Sequence, residues 1–460
     1  MKPNIVLITV DCWRGDHVGV APNARANTPN IDTLAAQSNY YSDAHSSGGW
    51  TKIAMTSLFS STHSSMYGFT QGKLNPERPN LAAELSANGY DTAGFTTNLV
   101  CGRSGGFDQG FNSFIEPRPV ASRGLRLNRR NKFQRLAALP SIGPILSIFA
   151  PITHPFYPTT DADDLVTMSI DWLRKEHTKP YFLWLHFMDL HWPYRSSKRP
   201  TSSQEFTQMW QDREHWQRVK KSRGEYYPGD ERAKRWQQLY AEETQTLDAA
   251  LGRLFDSLKA RPDWADTALC LTSDHGEEFY EHGTWAHSWN QLNKEGTHVP
   301  LILKSPEQTS GSKRSNTVSQ LDIAPTLLAM AGAEVPSEML GQNLLNATET
   351  PPIISEMHGH SDSHRYRLSI RHDGYHYIYD GDNDHCVLYS LATSADSEQN
   401  MYDKQCPISN RFDKLRLQHL SKGVLDMLKG QVIIGEDEIS YDLDDDPAVI
   451  ERLRALGYMD

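Results

Sequence analysis

Leu269-Cys270-Leu271-Thr272-Ser273-Asp274-His275-Gly276-Glu277-Glu278 reads as a short apolar strand that runs into a loop carrying a carboxylate and an imidazole side by side. Open α/β sheets place their chemistry in such loops, at the carboxyl ends of the strands. Oxygen and nitrogen donors together suit a divalent metal ion. His282 and His287 follow in the same loop. A solvated loop that happens to be rich in His is the plain alternative, but the N-terminus supplies a matching half. Asn4-Ile5-Val6-Leu7-Ile8-Thr9-Val10-Asp11 is a β-branched apolar run of the kind that forms a buried parallel strand, and it too ends in a carboxylate. Two such strands meeting at one sheet edge would set Asp11 beside Asp274. Facing carboxylates repel unless a cation or a proton lies between them.

The elements that must hold these residues alternate between strand and helix as far as about residue 340. Ser47-Gly48-Gly49-Trp50-Thr51-Lys52-Ile53 brings small residues ahead of a helix-like apolar spacing, so Thr51 should stand at or near a helix N-terminus. An anion there meets free backbone N–H groups and the positive end of the helix dipole. A plain Thr helix cap is the alternative. A strand from Asp91 leads to Asn98, which could reach a substrate or could equally form a turn. Asp161 to Lys175 is an amphipathic helix that feeds a strand, Pro180 to Leu185, ending in His186-Phe187-Met188-Asp189-Leu190-His191. His186 could as well be a core residue. Ser202 to Arg223 is polar and aromatic and is expected to be an irregular lid, and Glu231 to Lys259 is a long amphipathic helix. Beyond Leu340 short strands replace the alternation, as expected of a small antiparallel sheet with a helix over 412–429. His358, His360 and His364 read as loop residues or cleft lining rather than ligands. The expected division is a catalytic domain over 1–340 and a C-terminal subdomain over 341–460. Residues 117–158 form an atypical insert, with Arg123, Arg126, Arg129, Arg130, Lys132 and Arg135 followed by an apolar stretch. It reads as an inserted loop with a solvated basic face, or as a lid or docking surface for an anionic polymer or a membrane surface.

A chain of 460 residues can bury a large core, and its net charge of −11 argues against nucleic acid as a partner. The five cysteines are scattered and odd in number, with no zinc pattern and no evident disulfide framework. No apolar run approaches a membrane span of about 20 residues. The apolar strand begins almost at Met1 with no secretory leader, so the expected location is cytoplasmic.

These segments, taken in order, resemble the sulfatase family of the alkaline phosphatase superfamily. The resemblance rests on Asn4 to Asp32, Trp50-Thr51, His186 to Tyr194, Ser273 to Glu277, Val299-Pro300-Leu301, Asp322 to Leu327 and the tail Leu453 to Tyr458. It implies a large mixed, mostly parallel sheet sandwiched by helices, with a small C-terminal α+β subdomain. It also implies one divalent ion held by Asp11, Thr51, Asp274 and His275, with Thr51 at the nucleophile place. His191 and His287 would lie over the transferring anion, with His186, Lys52 and Asn98 as further substrate-site candidates. Two departures matter. Cys12 stands where many members carry a second hard ligand, and it reads as a packed small residue, with a soft ligand as the lesser alternative. Thr51, with Ile53 and Met55, replaces the Cys-x-Pro-x-Arg type pattern that is oxidised to formylglycine. Thr cannot give that aldehyde, so no formylglycine is expected. Relatives with Thr at this place resemble phosphodiesterases and phospho-group transferases.

The function expected is therefore metal-dependent hydrolysis of a phosphate ester, either a phosphodiester or a phosphonate monoester, through a Thr51 covalent intermediate. The alternatives are a sulfatase or phospho-headgroup transferase of the same fold, or a catalytically silent binder of anionic glycans. The Asp/His/Thr set leans toward manganese or calcium, with magnesium and zinc open. The expected substrate is a small-molecule, glycan or lipid-headgroup ester. A homo-oligomer stays open.

Overall fold

The computed structural model describes residues 2–67, 73–116, 161–194, 203–222, 224–287, 292–358, 366–381, 383–392 and 399–426. The 117–158 insert, His360, His364 and the tail motif lie outside these residues.

The main sheet is built around β1 (Asn4–Val10). Its other strands are β2 (Asn39–His45), β3 (Asp91–Thr96), β4 (Ser113–Ile115), β5 (Tyr181–Phe187), β6 (Thr267–Ser273), β9 (His298–Lys304), β10 (Ser312–Arg314) and β11 (Val318–Ser319). The order is β10-β2-β9-β6-β1-β5-β3-β4, with β11 also on β2. β1 runs parallel to both β5 and β6, and β3 runs parallel to β5, whereas β9 is antiparallel to β2 and to β6. The sheet is thus mixed and largely parallel, flanked by helices. Every residue of β1 is buried, because both faces of a parallel sheet are covered.

Alternation along β1 divides the core into two layers. Val6, Ile8 and Val10 pack with residues of α1 (Pro29–Ala35), α4 (Ala162–Leu173) and α6 (Asp230–Lys259). Ile5 and Leu7 pack with α2 (Thr51–Ser60), α3 (Leu81–Ala87) and α7 (Ile323–Met330). Helix α6 buries Leu247, Leu251, Leu254, Phe255 and Leu258 at helical spacing, and it starts with Asp230 and Glu231 where the dipole favours acids.

The segment expected to be an irregular lid is instead a helix, α5 (Ser203–Lys221). Its Gln, Glu, Arg and Lys are good helix formers, and Trp216 and Val219 bury it in the core. Trp216 stacks on Trp192, ring centroids 4.4 Å apart and 13° from parallel.

A second sheet is antiparallel, in the order β12 (Ile353–His358), β13 (Tyr366–His372), β14 (Tyr375–Asp380) and β15 (His385–Ser390). Asp373 and Gly374 turn β13 into β14 with φ of 47° and 78°, the left-handed pair that a two-residue hairpin requires. Phe412 of α8 (Pro407–Asp426) packs on Leu368, Ile370, Tyr377 and Leu388 of this sheet. Between the sheets, a two-stranded ladder joins β7 (Glu278–Phe279) to β8 (Trp285–Ala286). No helix among the described residues is long and apolar enough to cross a membrane.

Candidate active site

Parallel register decides which side chains meet. Val10 pairs with Ser273, and Thr9 pairs with His186, which also pairs with Thr96. The residues just beyond those strand ends, Asp11, Asp274 and Asn98, therefore emerge at one edge with His186. Thr51 is the first residue of α2, after an extended Trp50, and its side chain is fully buried at the same edge. Its hydroxyl lies 3.4 Å from Asp11 Oδ2 and 3.2 Å from His275 Nε2. His275 Nδ1 donates to the Gly276 carbonyl at 2.8 Å, so Nε2 carries the lone pair that faces this centre. Gly276 has no room for a side chain, since a Cβ there would sit 1.9 Å from the Glu295 carbonyl oxygen.

Donor atoms of Asp11, Asp274 and His275 lie within 4.8 Å of one another, and all three residues are buried. Asp274 Oδ1 accepts the backbone N–H groups of Cys12 at 3.1 Å and of His275 at 2.7 Å. Oδ2 of the same carboxylate is buried with no hydrogen-bond partner among the described residues. Burial, and then the charge of Asp11, push the Asp274 carboxyl up to about 8. Burial alone would raise Asp11 as well, but its contact with His186 and the nearby His191 and His275 hold it well below the usual carboxylate range. Two buried carboxylates, one with an unpartnered oxygen, beside an imidazole lone pair and a hydroxyl, fit a divalent cation by the chemistry of the donors.

Asn98 Nδ2 donates to Asp11 Oδ2 at 2.7 Å, so this amide orients the carboxylate from the side of β3. His186 Nδ1 meets the Thr9 hydroxyl at 2.8 Å, and its Nε2 faces Asp11 Oδ2 at 3.8 Å. Cys12 is fully buried. With φ of 61° its thiol lies 3.0 Å from Asp11 Oδ1 and 3.5 Å from His287 Nδ1. It shares one potential ligand group with His275 and His287 and another with Asp11 and His191.

The far side of the site is an imidazole pair. His287 Nδ1 pairs with Glu277 Oε1 at 3.1 Å, and Tyr194 donates to Glu277 Oε2 at 3.0 Å. Burial disfavours the His287 cation, but Glu277 outweighs it and raises the imidazole above its usual value. His191 goes the other way. Burial lowers it to about 4, and Nδ1 is held 2.7 Å from the Trp192 carbonyl. The His191 and His287 ring centroids are 5.0 Å apart. Lys52 is almost fully buried, its ammonium 5.5 Å from the centre of the Trp50 ring, and burial followed by Lys73 lowers it to about 8.

The family model described as Sulfatase matches residues 3–333. The chain belongs to the sulfatase family. A second model, N-sulphoglucosamine sulphohydrolase, C-terminal, matches residues 281–418. Among curated relatives, a Sulfatase of Formosa agariphila is 26% identical over 411 residues, covering 82% of this chain and 78% of its own. The Multifunctional alkaline phosphatase superfamily protein PehA of Trinickia caryophylli is 24% identical over 404 residues, covering 75% and 76%. Human Arylsulfatase K is 27% identical over 289 residues, covering 54% and 53%. Two solved structures share the fold. The phosphonate monoester hydrolase of Agrobacterium radiobacter has a TM-score of 0.65 at 18% identity, covering 93% and 96% of the two chains. A 2-O GAG sulfatase has a TM-score of 0.66 at 16% identity, covering 94% and 93%.

Within this sulfatase-family hydrolase the sequence-predicted candidates gather at one sheet edge. Asp11, Thr51, Asn98, His186, Asp274 and His275 surround one point, with His191 and His287 facing them across Cys12. Three supporting residues were not singled out from sequence. Glu277 and Tyr194 lie inside quoted motifs, yet their pairing spans 83 positions and no local pattern shows it. Gln320 bridges the site from beneath, donating to the carbonyls of Ser273 at 3.0 Å and Asp274 at 3.1 Å and accepting from the Ser47 N–H at 3.2 Å.

Proposed function

We propose that this hydrolase cleaves phosphate esters, phosphodiesters or phosphonate monoesters, through covalent attack by Thr51. The observation that carries the reading is Thr51 itself, at the first position of α2 with its hydroxyl against His275 Nε2 and Asp11 Oδ2. The side chains at 53 and 55 are Ile and Met, both wholly buried in the core, in place of the Pro and Arg of the formylglycine pattern.

Asp11, Asp274, His275 and the Thr51 hydroxyl would hold a divalent ion, which when bound supplies positive charge that acidifies a hydroxyl and offsets the anion. Cys12 adds a soft donor within reach of that set, which suits zinc better than calcium, whose ligands are oxygens. The N-terminal N–H groups of α2 and Lys52 receive the anion's oxygens. Thr51 Oγ1 attacks phosphorus as its proton leaves to solvent. The bond from phosphorus to the leaving oxygen breaks, and that oxygen takes a proton from His287. Glu277 keeps His287 charged for this role, and neutral His191 orients the ester. Water then attacks phosphorus, gives a proton to His287, and the Oγ1–phosphorus bond breaks. Thr51 recovers a proton from solvent, which restores the starting state.

The relative named as multifunctional and the solved phosphonate monoester hydrolase support phosphorus as the centre. A sulfate ester is the second reading, supported by the names Sulfatase and Arylsulfatase K among the relatives. Substrates of either kind would be small molecules or glycan or lipid-headgroup esters. The test sets aryl phosphodiester, phosphonate monoester, phosphomonoester and sulfate substrates side by side, with metal and with chelator. The expected outcome is chelator-sensitive turnover fastest on the diester or phosphonate. Turnover confined to the sulfate ester would overturn the phosphate reading.

A further inference from the structure

A second cluster of metal-ligating side chains lies away from this site, where three distant segments meet. His63 follows α2 just beyond Ser61, which ends the helix with a left-handed φ of 51°. Glu356 is on β12, and His419 is on α8. All three are buried, and one donor atom from each lies within 4.8 Å of the other two. The two imidazoles stand edge to face, centroids 4.8 Å apart and 89° between planes, so their edges converge rather than stack. Glu356 Oε1 accepts from His419 Nε2 at 2.6 Å and from the Tyr366 hydroxyl at 3.1 Å. Its Oε2 accepts the Ser65 N–H at 3.0 Å. The backbone of the same residue donates to the Ser47 carbonyl at 2.9 Å. Glu356 therefore grips the chain both before and after the helix that carries Thr51.

We propose that His63, Glu356 and His419 form a second divalent metal site, taking zinc or a similar transition-metal ion, that locks the C-terminal helix onto the nucleophile helix. Two imidazoles and one carboxylate are a nitrogen-rich donor set that such ions prefer and that calcium and magnesium do not. Ligands about 2.1 Å from a tetrahedral zinc ion stand about 3.4 Å apart. The present cluster reaches that spacing by small side-chain rotations, His419 withdrawing from its contact with Glu356 and His63 approaching. His419 then ligates through Nε2 as the tautomer with its hydrogen on Nδ1, and the proton displaced from Nε2 goes to solvent. Tyr366 and the Ser65 N–H then remain as the outer hydrogen bonds that orient a ligating carboxylate. Burial of all three residues, and anchoring segments that lie at positions 63, 356 and 419, suit an ion that fastens structure rather than one that turns over substrate.

The test removes the active-site ion first. The full chain carrying D274N and H275Q is stripped with chelator and titrated with zinc by calorimetry, with elemental analysis after gel filtration. The expected result is one equivalent bound in this background, against two in the unsubstituted protein, and none once H63A and H419A are added. Cobalt in the same background should give the visible absorption of a low-coordinate nitrogen and oxygen site. E356Q, which keeps the shape and most hydrogen bonds, should weaken zinc binding tenfold or more. No zinc bound in the D274N/H275Q protein would overturn the proposal, because its cluster is intact. One equivalent persisting after H63A and H419A would also overturn it.

Discussion

Two buried groups of carboxylate and imidazole flank helix α2, one around Thr51 at its start and one that includes His63 just past its end, and they differ in how their charge is met. At the sheet edge Asp274 keeps one oxygen without a hydrogen-bond partner and its carboxyl is pushed up to about 8, chiefly by burial and then by Asp11. At the junction of the C-terminal sheet and helix, Glu356 is equally buried. There His419, His63 and the Ser65 N–H outweigh burial and hold it well below the usual carboxylate range. The first group leaves a carboxylate oxygen of Asp274 without a hydrogen-bond partner among the described residues, which is the condition of a site built for a ligand. The second is already satisfied, which makes it a clasp that an ion can tighten. A buried polar group is costly unless it is paired, so the two arrangements have to be held in place differently. The first is held by the register of four parallel strands, the second by its own hydrogen bonds.

This contrast is broken most forcefully at Asp274. D274A should abolish binding of the active-site ion and lower turnover by several orders of magnitude, while the protein stays folded, because the residue removed was destabilising in the absence of a cation. Elemental analysis and turnover of a diester check it, and full activity in this variant would mean the ion is held elsewhere.

E356A should do the reverse. Removing the carboxylate leaves a buried imidazole without its charge partner, and breaking such a pair costs about 3–5 kcal/mol. Chemical denaturation should show that loss, with active-site metal content unchanged in the folded fraction. A loss below about 1 kcal/mol would show that the clasp contributes little.

A third carboxylate lies between these extremes and sharpens the comparison by its pH dependence. Glu278 accepts from the Thr284 hydroxyl and the Asn293 amide, both at distances of 2.7–2.8 Å, but burial still pushes it up to about 7. Its folded value is above the unfolded value of about 4.3, so the protonated form is the stabilising one. That contribution is complete below about pH 4 and is lost as pH rises through about 7. E278Q should flatten this part of the stability profile and hold the His287 loop equally well at pH 8 and pH 6. A profile unchanged by E278Q would remove Glu278 from the account.

The residues of the first group were legible in the sequence because each lies at the end of an apolar run. Asp11 closes Ile5–Val10, Asp274 follows Leu269–Ser273, and Thr51 opens the helix after Ser47-Gly48-Gly49. Parallel strands then bring such ends to one edge with no further information. The alternating strands and helices of the main sheet were legible for the same reason. Cys12 was not, because a thiol's role depends on where a left-handed backbone aims it. The second group was not either, since His63, Glu356 and His419 share no local pattern and meet only through the packing of three segments. Helix α5 was not legible because its apolar residues are few, and the stacking of Trp216 on Trp192 joins two elements that share no local pattern.

The central claim is that Thr51 is the nucleophile. T51A should keep the fold, because Trp50 rather than Thr51 holds the N-cap place and no side-chain cap bond is lost. It should cut turnover by several orders of magnitude, since the covalent route disappears. T51S should retain part of it. The most direct measurement is rapid acid quench of the metal-loaded protein with an aryl phosphodiester, followed by peptide mass spectrometry over residues 45–60. The expected result is a phospho-adduct on Thr51 and an unoxidised side chain in the resting protein. A formylglycine in that peptide, or near-full turnover by folded T51A with no adduct in the unsubstituted protein, would contradict it.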